Sequence, residues 1–297
     1  MTKSSMHLSV RLLATMVPIL GLAMAACAPA EPDDSNLPPD NGDQVVQDFH
    51  VAVSGVALSH PLNDVVATST GNAPDFSDLN IGVVNPSTIL AAPSAPPLVE
   101  GVLENFNCAA AGVDWCFDAV DLDGISLGLV SWVKDRRAVP EWINTGTGFA
   151  NAAEVEEHRQ TKAPVDNGFA FGITKETEAH LATLVNMNPG DLLARGFFIG
   201  MIVGNEADSF SPVAGATLSI PSSEGFDIYY PNADLTTITG AETSTNGIVL
   251  AVPRAEGNLV MRWSVVPPMG DGRTWGDHIA GTNPNFGFVL RFPANEV

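Results

Sequence analysis

Basic residues are scarce in this sequence, and their scarcity excludes several classes of partner. The chain has 297 residues with 13 Lys and Arg against 34 Asp and Glu, giving a formal net charge of −21. Between Cys27 and Val133 there is no Lys or Arg, although the same stretch holds fifteen acidic residues. Nucleic acid and anionic lipid surfaces bind basic proteins, so we expect neither as a partner. The carboxylates favour solubility and would also suit divalent cations.

Cysteine and histidine are also few. The chain has three Cys and six scattered His, and it lacks the H-E-x-x-H and H-x-x-E patterns of zinc peptidases. With Cys27 set aside for the reason given below, Cys108 and Cys116 remain as an even pair. We predict that they form a disulfide in an oxidising compartment, closing a short loop that stabilises by about 2.6 kcal/mol.

The apolar run near the start of the chain is too short to span a membrane. Residues 12–24 follow a weakly basic start and are fewer than the ~20 apolar residues that a spanning helix needs. Leu22-Ala23-Met24-Ala25-Ala26-Cys27 resembles the bacterial lipobox, in which the cysteine is lipidated and becomes the new amino terminus. The resemblance implies a signal peptide at 1–26 and a palmitate-type anchor on Cys27. Ala28 after the cysteine favours the outer membrane of the cell envelope.

The rest of the chain divides by pattern into four segments. Residues 27–47 are rich in Pro and Asp and predict a disordered acidic tether. Residues 48–149 show period-two alternation and predict a β-sandwich-like unit with no helix of any length before Glu141. Residues 150–195 have helical composition, with Thr174 as the cap of the second helix, and predict a short helical connector. Residues 196–297 again alternate and predict a second β-sandwich.

The second β unit has a recognisable arrangement of turns. The segment 212–220 places a glycine turn before a strand, and 243–253 places Asn246-Gly247 before a strand that ends at Pro253. Over residues 196–266 this resembles the carboxypeptidase regulatory-like family of transthyretin-type domains. The resemblance implies a seven-strand Greek-key β-sandwich and almost nothing about chemistry. The fold class expected for the whole chain is therefore mainly β.

One stretch matches a catalytic motif. Gly124-Ile125-Ser126-Leu127-Gly128 fits G-x-S-x-G, the nucleophile elbow of α/β-hydrolases. The elbow needs a strand before the serine and a helix after it, whereas Ser126 lies in an apolar run that predicts a strand over 124–133. No β/α pattern accompanies the downstream His158, His180 or His278. A serine hydrolase using Ser126 is thus an alternative that the surrounding pattern does not favour.

Two further groups of residues are candidates for binding. Asp118, Asp121 and Asp123 crowd beside the predicted disulfide and would suit Ca²⁺, although their spacing is not that of an EF-hand. Trp142 and Trp275 lie in Gly-, Thr- and Asp-rich surroundings and would serve as sugar-stacking platforms. The bland alternatives are a solvated acidic edge and tryptophans that cover the edges of a sandwich.

Taken together, these patterns predict a lipid-anchored, exported protein of the cell envelope. Its role would be non-catalytic binding or scaffolding, with no cofactor and with the membrane contacted through the lipid on Cys27. A calcium- or glycan-binding adhesive module is the first alternative. The sequence names no protein or glycan partner.

Overall fold

The computed structural model describes residues 48–71, 76, 78–92, 94–204, 211–220 and 225–295. The predicted signal peptide, the lipid attachment site at Cys27 and the predicted tether lie outside these residues. Contacts group Gln47–Val297 into one unit. None of the helices in the described part of the chain has the length and apolar character needed to cross a bilayer.

The described residues are mainly β, as the sequence predicts. The strands are β1 (His50–Ser59), β2 (Leu79–Val84), β3 (Val99–Val102), β4 (Trp115–Asp121), β5 (Leu129–Asp135), β6 (Thr145–Ala150), β7 (Val165–Gly172), β8 (Phe197–Val203), β9 (Thr217–Ser219), β10 (Phe226–Tyr229), β11 (Ile248–Pro253), β12 (Leu259–Val266), β13 (His278–Thr282) and β14 (Gly287–Pro293). The helices are α1 (Pro61–Thr70), α2 (Pro86–Ala91), α3 (Ala152–Thr161), α4 (Lys175–Leu184) and α5 (Asp191–Arg195).

The strands form three sheets. The central sheet has eight strands in the order β10-β11-β8-β14-β6-β5-β2-β3, with β8, β14 and β6 parallel to one another and the other neighbours antiparallel. The N-terminal sheet is β4-β1-β7, and the C-terminal sheet is β13-β12-β9. The structure thus consists of one long sheet that is covered by two short ones.

Each face of the central sheet is covered differently. Face A carries the side chains of Ile81, Val133 and Ile199, and it packs against the N-terminal sheet at β2 and β5 and against α1, α4 and α5 at β8 and β11. Face B carries Phe198 and Phe292, and it packs against the C-terminal sheet at β8, β11 and β14. Because β8 is covered on both faces, all seven of its residues are buried. The period-two alternation in its sequence therefore does not separate a solvent-exposed face from a buried face.

The second β unit is built from two facing sheets. β8 to β14 are seven strands in two facing sheets, four in the central sheet and three in the C-terminal sheet. The central sheet then continues without interruption into β6, β5, β2 and β3, which belong to the first β unit. The segment at 150–195 is consequently not a boundary between sheets, because the parallel pairs β14–β6 and β14–β8 join the strands on either side of it.

Several local predictions need correction. Two helices, α1 and α2, precede Glu141, where the sequence predicts none. The segment 150–195 contains α3, α4 and α5 but also β7, which pairs in parallel with β1. The strand expected over 124–133 begins only at Leu129, and Ser126 is exposed in the turn that precedes it.

Helix α1 forms because its ends are capped and one side of it is buried. The His60 ring accepts a hydrogen bond from the Leu62 N–H at 3.3 Å, Pro61 occupies the first turn, and Gly71 ends the helix with a φ of 79°. Leu62 and Val66 then pack into the core shared with α4 and β8. Capping and burial outweigh the low helix propensity of a segment rich in Val, Thr and Ser.

Two neighbouring strands of the N-terminal sheet, β1 and β7, approach closely at a pair of glycines. Gly55 on β1 pairs with Gly168 on β7, and a Cβ at Gly55 would lie 2.2 Å from the Gly168 carbonyl oxygen. The ring of Trp115 fills the space beside them, at 2.4 Å from the same Cβ position. Only glycine leaves room for this buried indole.

Candidate functional site

A groove opens on face B of the central sheet, beside the end of β5. It has a volume of about 350 Å³ and is open to solvent. Three separated segments of the chain line it: the end of β5, the residue shortly before β6 and the turn before β14. Ser94, which follows α2, also lines it. The lining residues are Ser94, Trp132, Lys134, Asn144, Pro284, Asn285 and Phe286. This size lies within the ~300–1,000 Å³ typical of small-molecule sites.

The floor of the groove is aromatic. Trp132 and Phe286 stack with their ring centroids 6.2 Å apart and their planes at 26°, and both are more than nine-tenths buried. Gly82 on β2 is the register partner of Trp132. A Cβ at Gly82 would lie 2.8 Å from the indole Nε1. The glycine therefore allows the indole to lie flat across the neighbouring strand.

The rim of the groove is polar, and backbone hydrogen bonds fix the position of its two asparagines. The Asn144 carbonyl accepts a hydrogen bond from the Gly287 N–H at 2.9 Å, and the Asn285 N–H donates to the Leu193 carbonyl at 2.7 Å. Asn285 has a φ of 68°, a left-handed conformation that asparagine tolerates. The Lys134 ammonium lies 5.7 Å from the centre of the Trp132 ring and is the charged group of the lining. None of the lining residues is acidic.

The two tryptophans expected to stack on sugars, Trp142 and Trp275, are packed into the fold. Trp142 is 2% exposed and packs against Phe76, with ring centroids 4.7 Å apart, so its faces do not reach solvent. Trp275 is half-buried, and its indole N–H donates to the carbonyls of Val203 and Phe292 at 3.3 and 3.0 Å. Neither residue lines the groove; Trp132, an aromatic residue that the sequence does not single out, does so.

The acidic residues expected to bind calcium do not converge. Asp118, Asp121 and Asp123 are all exposed, and no group of three or more His, Cys, Asp or Glu in the described part of the chain is arranged to hold a metal. A register shift in the β1–β4 pairing breaks the alternation along β4. One carboxylate oxygen of Asp121 accepts the Asp123 N–H at 3.0 Å, which closes a local turn.

The G-x-S-x-G match lies in a different setting from a nucleophile elbow. Ser126 lies between two strands, β4 and β5, rather than between a strand and a helix. Each downstream histidine is engaged elsewhere: His158 lies 3.0 Å from the Ala163 carbonyl, His180 lies 2.8 Å from the Leu235 carbonyl, and His278 packs on Phe292. Within the described residues, no histidine makes a hydrogen bond with Ser126.

Cys108 and Cys116 form the predicted disulfide. Cys116 lies on β4 opposite Ser54 of β1, so the bridge ties the irregular segment before β4 to the N-terminal sheet. Cysteine pairs of this kind persist in oxidising compartments. The disulfide therefore agrees with the export that the start of the sequence predicts.

The titratable groups with perturbed pKa values lie outside the groove. Complete burial lowers the pKa of His60 to about 3. Burial acts to raise the pKa of Asp135, but hydrogen bonds from the backbone N–H groups of Arg137, Trp142 and Glu141 outweigh it and hold that pKa below its usual value. Hydrogen bonds from the Arg273 side chain and backbone lower the pKa of Asp271 to about 2. These groups hold local structure together and do not face a shared cavity.

Comparison with known proteins adds little. No protein-family model matches the chain, and no curated protein matches its sequence. The shaft pilin SpaA from Lactobacillus rhamnosus GG is 10% identical, with 84% of this chain and 98% of the pilin covered, and its TM-score is 0.22. The TIE protein of Bacillus anthracis is 10% identical over 83% of this chain and 34% of its own, with a TM-score of 0.18. At these TM-scores the likeness carries no argument about fold or function.

Proposed function

We propose that the chain is an exported, lipid-anchored protein of the cell envelope whose β-rich body binds a ligand and catalyses no reaction. The groove carries the binding part of this proposal, because its floor is apolar, its rim is polar, and its three amide and hydroxyl side chains are available to a ligand. Export is supported by the lipobox-like residues 22–27 and by the Cys108–Cys116 disulfide. Kinship with the carboxypeptidase regulatory-like family, attachment through Cys27 and an outer-membrane location belong to the same proposal.

A glycan-binding adhesive role is the second candidate. It is supported by the groove at Trp132 rather than by Trp142 or Trp275. Calcium binding by Asp118, Asp121 and Asp123 has no comparable support, since these carboxylates are spread along an exposed, irregular strand end.

Metabolic labelling with a radioactive fatty acid tests the anchor. We expect the wild-type protein to be labelled and to fractionate with membranes, and Cys27→Ala to be unlabelled and retained with its leader. The matched control is the Cys108→Ser/Cys116→Ser double variant, which keeps Cys27 and should stay labelled. An unlabelled wild-type protein, or equal labelling of Cys27→Ala, would contradict the proposed anchor. Turnover of an ester or a peptide by purified protein would contradict the non-catalytic role.

A further inference from the structure

The lining of the groove contains one basic side chain and no acidic one, although the protein is strongly acidic. Lys134 is the first basic residue after Cys27 in the sequence, and its ammonium lies at the groove. It forms no ion pair with a carboxylate among the residues that the structure describes, and its contact there is with the face of Trp132. The six other lining residues are neutral. A cation that has no carboxylate partner among the described residues, at the rim of a groove, favours a ligand with one negative charge and disfavours a cationic ligand.

The rim offers hydrogen-bonding groups that the protein itself does not use. The side chains of Ser94, Asn144 and Asn285 line the groove and make no hydrogen bond with other residues in the described part of the chain. Each amide offers two donors and an acceptor, and the hydroxyl offers one donor and an acceptor. Because the backbones of Asn144 and Asn285 are held by hydrogen bonds, their side chains project from fixed positions. This set matches a ligand that carries several hydroxyl groups.

The floor restricts the ligand further. Trp132, Phe286 and Pro284 give the groove an apolar lining. A ligand with an apolar side, such as the C–H groups of a pyranose ring, would cover this surface. A phosphate is a poor match, since phosphate sites use several cations or a helix N-terminus, and the groove has one Lys. A wholly apolar ligand would leave the polar rim unsatisfied.

We propose that this groove binds a sugar that carries a carboxylate, of the uronic acid class, with the carboxylate on Lys134, the hydroxyls on Ser94, Asn144 and Asn285, and the ring on the aromatic floor. The inference deepens the binding role proposed above. It names the ligand chemistry of that site, whether the sugar is free or is a residue of a polysaccharide. It does not depend on the lipid anchor, which the labelling experiment tests separately.

Isothermal titration of the full chain with sodium glucuronate, sodium galacturonate, glucose and acetate tests this assignment. We expect one of the uronates to bind with a Kd near 1 mM, which is ordinary for a ligand of about 13 non-hydrogen atoms. Glucose and acetate should each bind at least about tenfold more weakly, because glucose lacks the carboxylate and acetate lacks the sugar ring with its hydroxyls. Raising the salt concentration should weaken uronate binding.

Two variants separate the charge from the scaffold. Lys134→Met keeps the aliphatic stem on Trp132 and should weaken uronate binding by about tenfold or more, so that uronate and glucose bind alike. Lys175→Met removes an exposed charge at the start of α4 and should leave binding unchanged. Both variants should retain the circular dichroism spectrum and unfolding temperature of the wild type. The side-chain amide signals of Asn144 and Asn285 should shift in NMR spectra when uronate is added.

The assignment is overturned if neither uronate shows binding at a concentration of about 10 mM, ten times the expected Kd. It is also overturned if Lys134→Met binds uronate as tightly as Lys175→Met does, or if the amide signals that shift are not those of the groove. Equal binding of glucose and glucuronate by the wild type would show that the carboxylate is not recognised. An oligouronate that binds much more tightly than the monomer, and loses that affinity in Lys134→Met, would identify a polysaccharide as the source of the sugar.

Discussion

The buried histidine at the start of α1 should make the protein sensitive to acid. His60 is 0% exposed, its Nδ1 accepts the Leu62 N–H, and its ring packs edge-on against Phe171 at 5.6 Å. The Nε2 atom is buried and has no hydrogen-bond partner within the described residues. A proton added to the ring would place a charge in the core with nothing to balance it. The folded protein therefore holds this histidine in its neutral form.

The size of the effect follows from the pKa difference between the unfolded and folded states. The pKa falls from 6.5 to about 3 on burial. Below pH 6.5 the unfolded chain binds a proton that the folded chain refuses, so the free energy of unfolding falls as the pH falls, until the folded pKa is reached. At about 1.4 kcal/mol for each pKa unit, the full loss is about 5 kcal/mol, a large part of the 5–15 kcal/mol that stabilises a typical domain.

Urea unfolding between pH 7 and pH 4 covers about 3 kcal/mol of this loss in the wild type, and the same measurement is made on His60→Asn. Asparagine caps helices well but does not titrate, so the variant should start about 1–2 kcal/mol less stable at pH 7 and lose clearly less stability on acidification. His158→Asn is the control, because the His158 side chain reaches solvent and its ring lies against the Ala163 carbonyl near the end of α3. If His60→Asn and the wild type show the same slope with pH, the buried neutral histidine is not the cause of acid sensitivity.

Two further predictions concern the first half of the structure. Replacing both Cys108 and Cys116 by Ser should lower the free energy of unfolding by about 2.6 kcal/mol, as expected for releasing a short closed loop; an unchanged urea midpoint would contradict this. Gly55→Ala should cost about 3 kcal/mol or more, because its Cβ would lie 2.2 Å from a backbone oxygen. Gly272→Ala, where a Cβ meets nothing within 4 Å, should be nearly neutral by the same assay.

Elements with a strong local signal could be predicted from the sequence. Strands lie in both segments, 48–149 and 196–297, in which alternation predicts them, and Thr174 accepts the Thr177 N–H at 3.1 Å as the cap of α4. Capping and alternation depend on neighbouring residues, so they leave a readable pattern.

Elements that depend on distant partners could not be predicted in this way. The sequence of α1 is rich in β-branched residues, and the helix is stabilised by its caps and by contact with α4. β7 contains two glycines and an asparagine with a φ of 63°. It is a strand because it pairs with β1 and covers face A. A short stretch of sequence does not show which distant strand it will pair with.

The groove was also beyond prediction from local patterns. Trp132 lies within an apolar strand and would be interpreted as ordinary core, and its stacking partner Phe286 lies far along the chain. The pairing of β5 with β6 and of β6 with β14 brings Trp132, Asn144 and Phe286 to one place. The sequence does contain one relevant signal, which is that Lys134 ends a long stretch without basic residues.

The place of β14 in the central sheet has a consequence for how the protein is made. β14 is the last strand along the described chain, yet it is inserted between β6 and β8 and pairs with both. A ribosome adding about 5–20 residues each second would need on the order of 15–60 s to produce the strand that closes the seam. Until then the two groups of strands have no common hydrogen-bonded ladder. The edge of β6 that faces β14 therefore stays unpaired until nearly the whole described chain has been made.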